Sequence, residues 1–197
     1  MELGRLDRVL LAARHATAAR ALAALAAMSA LAPFPAAAQA VATSQARLEI
    51  LDPVTAGIAG DMYFGDITPA GINGTVVMAP GASATCTTTG GLIRTGICQA
   101  AKFTGTAAYQ SVLRVRRPIG DRIDLTGPGG ATMRLDDFVF AATAPTVFLS
   151  ALGANTRFRI DDPTGEYTFY AGATLHVAGN QAPGTYTGTF EINVAYN

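Results

Sequence analysis

The residues 184–197 read Gly-Thr-Tyr-Thr-Gly-Thr-Phe-Glu-Ile-Asn-Val-Ala-Tyr-Asn. Tyr186, Phe190, Ile192, Val194 and Tyr196 share one parity, and Gly188 is the one gap in that row. Thr187, Thr189, Glu191 and Asn193 fall between them. Side chains alternate across a strand, so this pattern predicts a long β-strand with one apolar and one polar face. A helix would scatter these side chains around its axis. Such a strand needs a core under its apolar row and neighbours along its edges, because an open edge pairs with whatever strand it meets. What pairs with this segment is therefore the question the chain poses.

The rest of the chain has the same grain. It holds 21 glycines and 10 prolines, and no long apolar pattern recurs at helical spacing. Short β-rich runs alternate with turn signals, which predicts an all-β antiparallel sandwich of about nine to eleven short strands. Residues 47–51, 60–67, 74–78, 101–106, 109–116, 122–125, 133–141, 157–160 and 167–178 read as strands. Residues 146–152 are apolar but too short to separate strand from helix. Residues 85–89 and 92–97 flank Gly90-Gly91, which predicts a two-residue hairpin. Residues 126–130, 161–165 and 180–184 are turns by composition.

The first forty residues read as a secretory signal peptide. Arg5, Arg8, Arg14 and Arg20 supply a basic region, residues 21–31 an apolar stretch, and Ala38-Gln39-Ala40 a cleavage site. That stretch is shorter than the roughly 20 residues a membrane-spanning helix needs. Residues 41–197 are then one mature domain, secreted through the periplasm to the cell surface or medium. Taking the four arginines from 14 basic residues, and Glu2 and Asp7 from 14 acidic ones, leaves 10 and 12, a net charge of about −2. Charged residues make up 14% of the chain, against a usual figure of about 25%. That composition argues against a nucleic-acid binder, which presents a basic face. Cys86 and Cys98 are the only cysteines. In an oxidising compartment they most simply form one disulfide, and their spacing fits neither a metal pair nor a C-x-x-C redox pair.

Catalytic patterns are absent. His176, the sole histidine after residue 40, sits between Leu175 and Val177 on the opposite strand face, as a solvent-facing or hydrogen-bonded residue. No serine lies in a G-x-S-x-G elbow. Asp136 and Asp137 point to opposite faces of a strand. Asp161, Asp162 and Glu166 surround a turn that either holds Ca²⁺ or is ordinary Asp-rich turn chemistry. Residues 127–130 lack the lysine and spacing of a phosphate loop. Arg114, Arg116 and Arg117 read first as a solvated strand face and second as a ligand site. The chain is expected to have no enzymatic activity and to need no cofactor or metal.

A series of motifs carries a resemblance. In order they are Met62-Tyr63-Phe64-Gly65-Asp66-Ile67 with Pro69, Ala101-Lys102-Phe103-Thr104-Gly105, Met133 with Asp137-Phe138, Ala173-Thr174-Leu175-His176-Val177, and the closing segment. The chain resembles a family of secreted bacterial β proteins catalogued as a domain of unknown function and considered pilin-like. Gly184, fourteenth from the end, and the penultimate Tyr196 are also similar to the terminal strand of chaperone–usher pilus subunits. That similarity implies an Ig-like domain lacking a strand, which a periplasmic chaperone and then the next subunit supplies by β-augmentation. Gly184, Tyr186, Phe190, Ile192, Val194 and Tyr196 would form the assembly strand. Residues 41–51, with Leu48 and Ile50 as apolar knobs, would be the donor. The implied partners are other copies or related pilin subunits, with a chaperone and an outer-membrane usher. The competing expectation is a monomeric secreted β-sandwich that binds a surface ligand such as a glycan.

Overall fold

The computed structural model describes Leu51 and residues 53–197. Among these, thirteen strands and two short 3-10 turns form an almost entirely β architecture. The strands are β1 (Gly57–Gly60), β2 (Asp66–Thr68), β3 (Gly74–Ala79), β4 (Thr85–Thr88), β5 (Ile93–Thr95), β6 (Ala101–Thr106), β7 (Val112–Arg116), β8 (Arg122–Thr126), β9 (Thr132–Ala142), β10 (Thr146–Leu152), β11 (Asn155–Ile160), β12 (Glu166–Val177) and β13 (Asn193–Tyr196). All pairings are antiparallel. The segment 146–152, ambiguous in the sequence, is a strand. The predicted strand at 47–51 lies outside the described residues except for Leu51.

The long strand β12 organises the larger, seven-stranded sheet. One of its edges pairs with β9, and β8 follows beyond β9. Its other edge is shared: β6 takes residues 166–171 and β3 takes residues 174–177. The outer positions beside those two belong to β1 and β4. Tyr167, Phe169, Ala171, Ala173, Leu175 and Val177 alternate along β12 and are all buried, so one face of the strand is apolar over its full length.

Two clusters cover that face. Over the first half lies the smaller sheet, ordered β10-β11-β7-β13. Its Leu113, Val115, Phe158 and Ile160 pack on Phe103, Phe140 and Phe169. Phe169 is fully buried and its ring meets Phe103 at 5.1 Å, Phe158 at 5.7 Å, and Phe140 and Tyr167 at 6.0 Å. Over the second half, Val76, Met78, Leu135, Phe138, Leu175 and Val177 are joined by Phe64, Ile67 and Leu92, carried by the two-stranded ribbon β2–β5 and its approaches.

A β-bulge explains the spacing of buried residues on β9. Leu135, Phe138 and Phe140 are all buried, although 135 and 138 have opposite parity. The register with β12 slips between Asp136 and Val139, and Asp137 takes a positive φ of 51°. The extra residue returns Phe138 to the core side. The Phe138 N–H lies outside the ladder and donates instead to Asp121 Oδ1 at 3.0 Å, so the buried turn of the backbone keeps its hydrogen bond.

Two expectations are corrected. Gly90 and Gly91 do form a tight turn, with φ of 65° and 69°, but the strands leaving it do not pair with each other. β4 joins β3 in the large sheet, and β5 joins β2 in the ribbon. Twin glycines permit the turn but do not decide which sheet each strand enters. The predicted strand at 60–67 is likewise broken into two pieces, β1 and β2, and between them Tyr63 makes an isolated bridge to Gln99 before β6.

Cys86 and Cys98 form the expected disulfide, with Cα atoms 6.0 Å apart. It ties β4 to the segment entering β6 rather than closing a hairpin, and both cysteines pack against the second cluster. Replacing both by Ala should cost roughly 3 kcal/mol in the chain-entropy account of so short a loop, measured as a shift in the urea midpoint. Phe169→Ala should cost about 3–5 kcal/mol in the same assay. The exposed Val139→Ala on β9 should change stability little, and a comparable loss there would contradict the placement of the core.

Candidate functional site

The closing segment does not form one continuous strand. Only Asn193–Tyr196 is in a ladder, paired with β7 through Asn193–Arg116, Val194–Val115, Ala195–Arg114 and Tyr196–Leu113. Upstream, Thr187 bridges Thr126 at the end of β8, with reciprocal N–H to carbonyl bonds of 2.8 and 3.0 Å. The segment therefore starts on the large sheet and finishes on the small one. Between residues 188 and 192 it joins no strand among the described residues.

The alternation still sets which side faces in. Tyr186, Phe190, Ile192, Val194 and Tyr196 are half-buried, and Thr187, Gly188, Thr189, Glu191 and Asn193 are exposed. Phe190 is the hinge between the two clusters, at 5.0 Å from Phe138 and 6.2 Å from Phe103. Ile192, Val194 and Tyr196 pack on the first cluster. The Ala108 N–H donates to the Tyr196 hydroxyl at 2.9 Å. Gly188, the gap in the row, lies against Leu125, where an added Cβ would fall 2.8 Å from Leu125 Cδ2. The gap is filled by β8.

The start of the segment is fixed to the loop after β8. Gly184 has a φ of 140° and backs onto Pro128. Tyr186 lies over Gly127. Its hydroxyl accepts from Gln181 Nε2 and donates to the Ala182 carbonyl, both at 2.7 Å. Of the residues expected to act together, Phe190, Ile192, Val194 and Tyr196 are brought to one inward row at the edge of the small sheet. Gly184 and Tyr186 instead belong to the end of the large sheet. Leu48 and Ile50 lie outside the described residues. β13 has a single strand neighbour, β7, among the described residues.

The other candidates make local hydrogen bonds and ion pairs. His176 points away from Leu175 and Val177, to the outer face of the large sheet. There it shares a 2.7 Å hydrogen bond with Asp136 Oδ1, and Arg134 Nε donates to Asp136 Oδ2 at 2.8 Å. The ladder register places Arg134 directly opposite His176. Asp136 and Asp137 do not act together, because Asp137 sits in the bulge. Around the 161–165 turn, Asp161 accepts two bonds from Arg159, at 2.6 and 2.7 Å. Asp162 accepts from the Thr164 N–H and hydroxyl at 2.8 and 2.5 Å. These hydrogen bonds hold both carboxyls below the usual aspartate range. Among the described residues, no group of three or more His, Cys, Asp or Glu side chains is placed to hold a metal ion, and no helix is long and apolar enough to cross a membrane.

Tyr167 closes the core where the chain enters the domain. Its hydroxyl donates to the Thr55 carbonyl, reaching across Gly105, where a Cβ would fall 2.6 Å from the Tyr167 oxygen. Burial pushes its pKa up to about 12. Its unfolded value is near 10, so the folded state favours the neutral phenol. That contribution is complete below pH 10 and is lost as pH rises towards 12. Thermal melts should therefore show a drop in stability between pH 10 and 12 that is reduced in Tyr167→Phe. An equal drop in the variant would exclude Tyr167 as its source.

No curated protein and no solved structure matches the chain. The model of one family, the domain of unknown function DUF4402, matches residues 54–196, which covers every strand from β1 to β13. The chain is therefore a member of the DUF4402 family.

Proposed function

We propose that the protein is a non-enzymatic structural subunit of a fimbria-like surface polymer, assembled by strand complementation. The observation that carries this reading is the geometry of the closing segment. β13 lies at the margin of the small sheet with one strand neighbour among the described residues. Phe190, Ile192 and Val194 face the core while only half-buried, and residues 188–192 run beside the core outside any ladder among the described residues. An added strand would gain backbone hydrogen bonds along this margin and cover part of the apolar row. Backbone pairing supplies affinity, and pockets for alternate side chains supply register. A donor from the next copy makes a head-to-tail contact that does not close, and such a contact builds a filament. The pilin-like, Ig-like character of the domain, its export through the periplasm, and delivery by a chaperone and usher belong to this proposal. Residues 41–51, with Leu48 and Ile50 as knobs, are the donor.

A second reading, a monomeric secreted module that binds a surface ligand such as a glycan, has its own support. The segment already seals much of its row with its own side chains, through the Phe190–Phe138 contact and the Ala108–Tyr196 hydrogen bond. The two readings separate on one preparation from the periplasm. The polymer reading expects a ladder of oligomers in gels run without heating, and expects deletion of residues 41–51 to abolish that ladder while leaving monomer bound to a chaperone. Ladders that survive the deletion would rule out this donor. A chaperone-free monomer on size exclusion would favour the binding module.

A further inference from the structure

Two of the most exposed large apolar side chains among the described residues stand at the same end of the small sheet. Ile119 is 93% exposed, in the turn after β7, and Leu152, which closes β10, is 77% exposed. The two turns are neighbours, because the Arg117 N–H donates to the Ala154 carbonyl at 2.9 Å. Between them lies a hollow of about 380 Å³ lined by Arg116, Arg117, Ile119, Asp121, Gly153 and Ala154 among others. Arg117 gives one Nη1 hydrogen bond to Asp121 at 2.8 Å, but its buried Nε has no hydrogen-bond partner among the described residues. A buried donor left without a hydrogen bond is costly, and the Arg117 guanidinium, although ion-paired to Asp121, keeps that one donor unsatisfied.

The same end leads onto a basic sheet face. Residues directly opposite in an antiparallel ladder share a face. The register therefore aligns Leu152, Asn155, Arg116 and Asn193 in one outer row, and Ser150, Arg157, Arg114 and Ala195 in the next. Arg157 and Arg114 are directly opposed, an arrangement that costs stability for like charges. Arg159 and Arg117 are neutralised by Asp161 and Asp121. No carboxylate pairs with Arg114, Arg116 or Arg157 among the described residues. A chain with no net charge thus places three arginines without a carboxylate partner among the described residues on one face, beside two apolar tips, with Arg157 Nε donating to Asn197 Oδ1 at 2.9 Å.

We infer that this end of the small sheet docks on an anionic lipid surface. A head-group phosphate occupies the hollow at Arg116 and Arg117. Arg114 and Arg157 face neighbouring head groups, and Ile119 and Leu152 enter the interfacial layer. Arginines near an anionic membrane gain from its surface potential, and apolar side chains beside them gain from burial at the head-group boundary. A soluble polyanion would use the charge but leave both tips in water. Single-stranded nucleic acid binds on aromatic platforms, and neither outer row contains an aromatic residue. This inference does not rest on the assembly reading.

The test is co-sedimentation of the full chain with vesicles of phosphatidylglycerol and phosphatidylcholine, or of phosphatidylcholine alone. The expected result is binding to the anionic vesicles that falls with added salt. Arg114→Gln and Arg116→Gln should each weaken it about five-fold, and Ile119→Ser with Leu152→Ser about ten-fold or more. The positions are exposed, so thermal melts should show no loss of stability in any variant, with Arg114→Gln at or slightly above the unaltered chain because it relieves the repulsion with Arg157, and so exclude misfolding. The inference is overturned if these variants bind as the parent does, or if both vesicle types bind equally. Binding to dextran sulfate that matches the anionic vesicles and ignores the Ile119 and Leu152 changes would also overturn it, assigning the face to a soluble polyanion.

Discussion

The burial of Phe169 between two sheets is the interaction on which the rest of the structure depends. Its ring contacts aromatic partners from β6, β9 and β11, so three strands distant in sequence are held against the middle strand at one point. Aromatic pairs of this kind add to the energy of simple area burial. Because Phe169 belongs to β12, the same strand that fixes the core also supplies the hydrogen bonds of both its edges. Antiparallel order then spreads outward from it: β9 and β8 on one side, β6 and β1 or β3 and β4 on the other. The bulge at Asp137 keeps Phe138 and Phe140 on the inner face beside it, and the Asp121 carboxylate stabilises that irregularity.

The large sheet exceeds what the small one can cover, and this mismatch shapes the remaining parts. The uncovered half of the β12 face needs another apolar layer, which the β2–β5 ribbon and the disulfide-tied segments provide. The closing segment lies along the seam between the two sheets. Phe190 belongs to both clusters, and the backbone leaves β8 at Thr187 and reaches β7 only at Asn193. A segment held mainly by side chains, with few ladder bonds, is one whose pairing another strand can extend. The margin that supports the assembly reading is therefore a consequence of how the two sheets differ in size.

The small sheet has a different outer surface from the large one. On the large sheet, Arg134, Asp136 and His176 meet one another, as do Arg122 and Asp124, so charge is compensated locally. On the small sheet, Arg114 and Arg116 of β7 and Arg157 of β11 share a face with no carboxylate partner among the described residues. Arg114 and Arg116 stand in one run of the sequence and Arg157 in another, and only the β7–β11 ladder brings them to one surface. Ile119 and Leu152 stand at the same end of that sheet because the Arg117 N–H donates to the Ala154 carbonyl and joins their two turns.

Much of the fold was legible in residues 54–197. Alternation on β6, β7 and β11 marks the strands because a half-buried strand must present apolar side chains at every second position. The closing row correctly placed Phe190, Ile192, Val194 and Tyr196 inward, and the spacing of Cys86 and Cys98 matched their disulfide. The sequence pattern overestimated the length of the last strand and mistook Gly90-Gly91 for the head of a hairpin. Periodicity reports which side of a backbone is apolar, but backbone hydrogen bonds are chemically alike at every residue and carry no address. Sequence alone therefore determined an all-β chain and its inward-facing residues. The tertiary structure decided which strands meet, where Leu125 fills the gap at Gly188, how Asp137 resets the parity of β9, and which arginines share a face, because those depend on contacts between segments far apart in the chain.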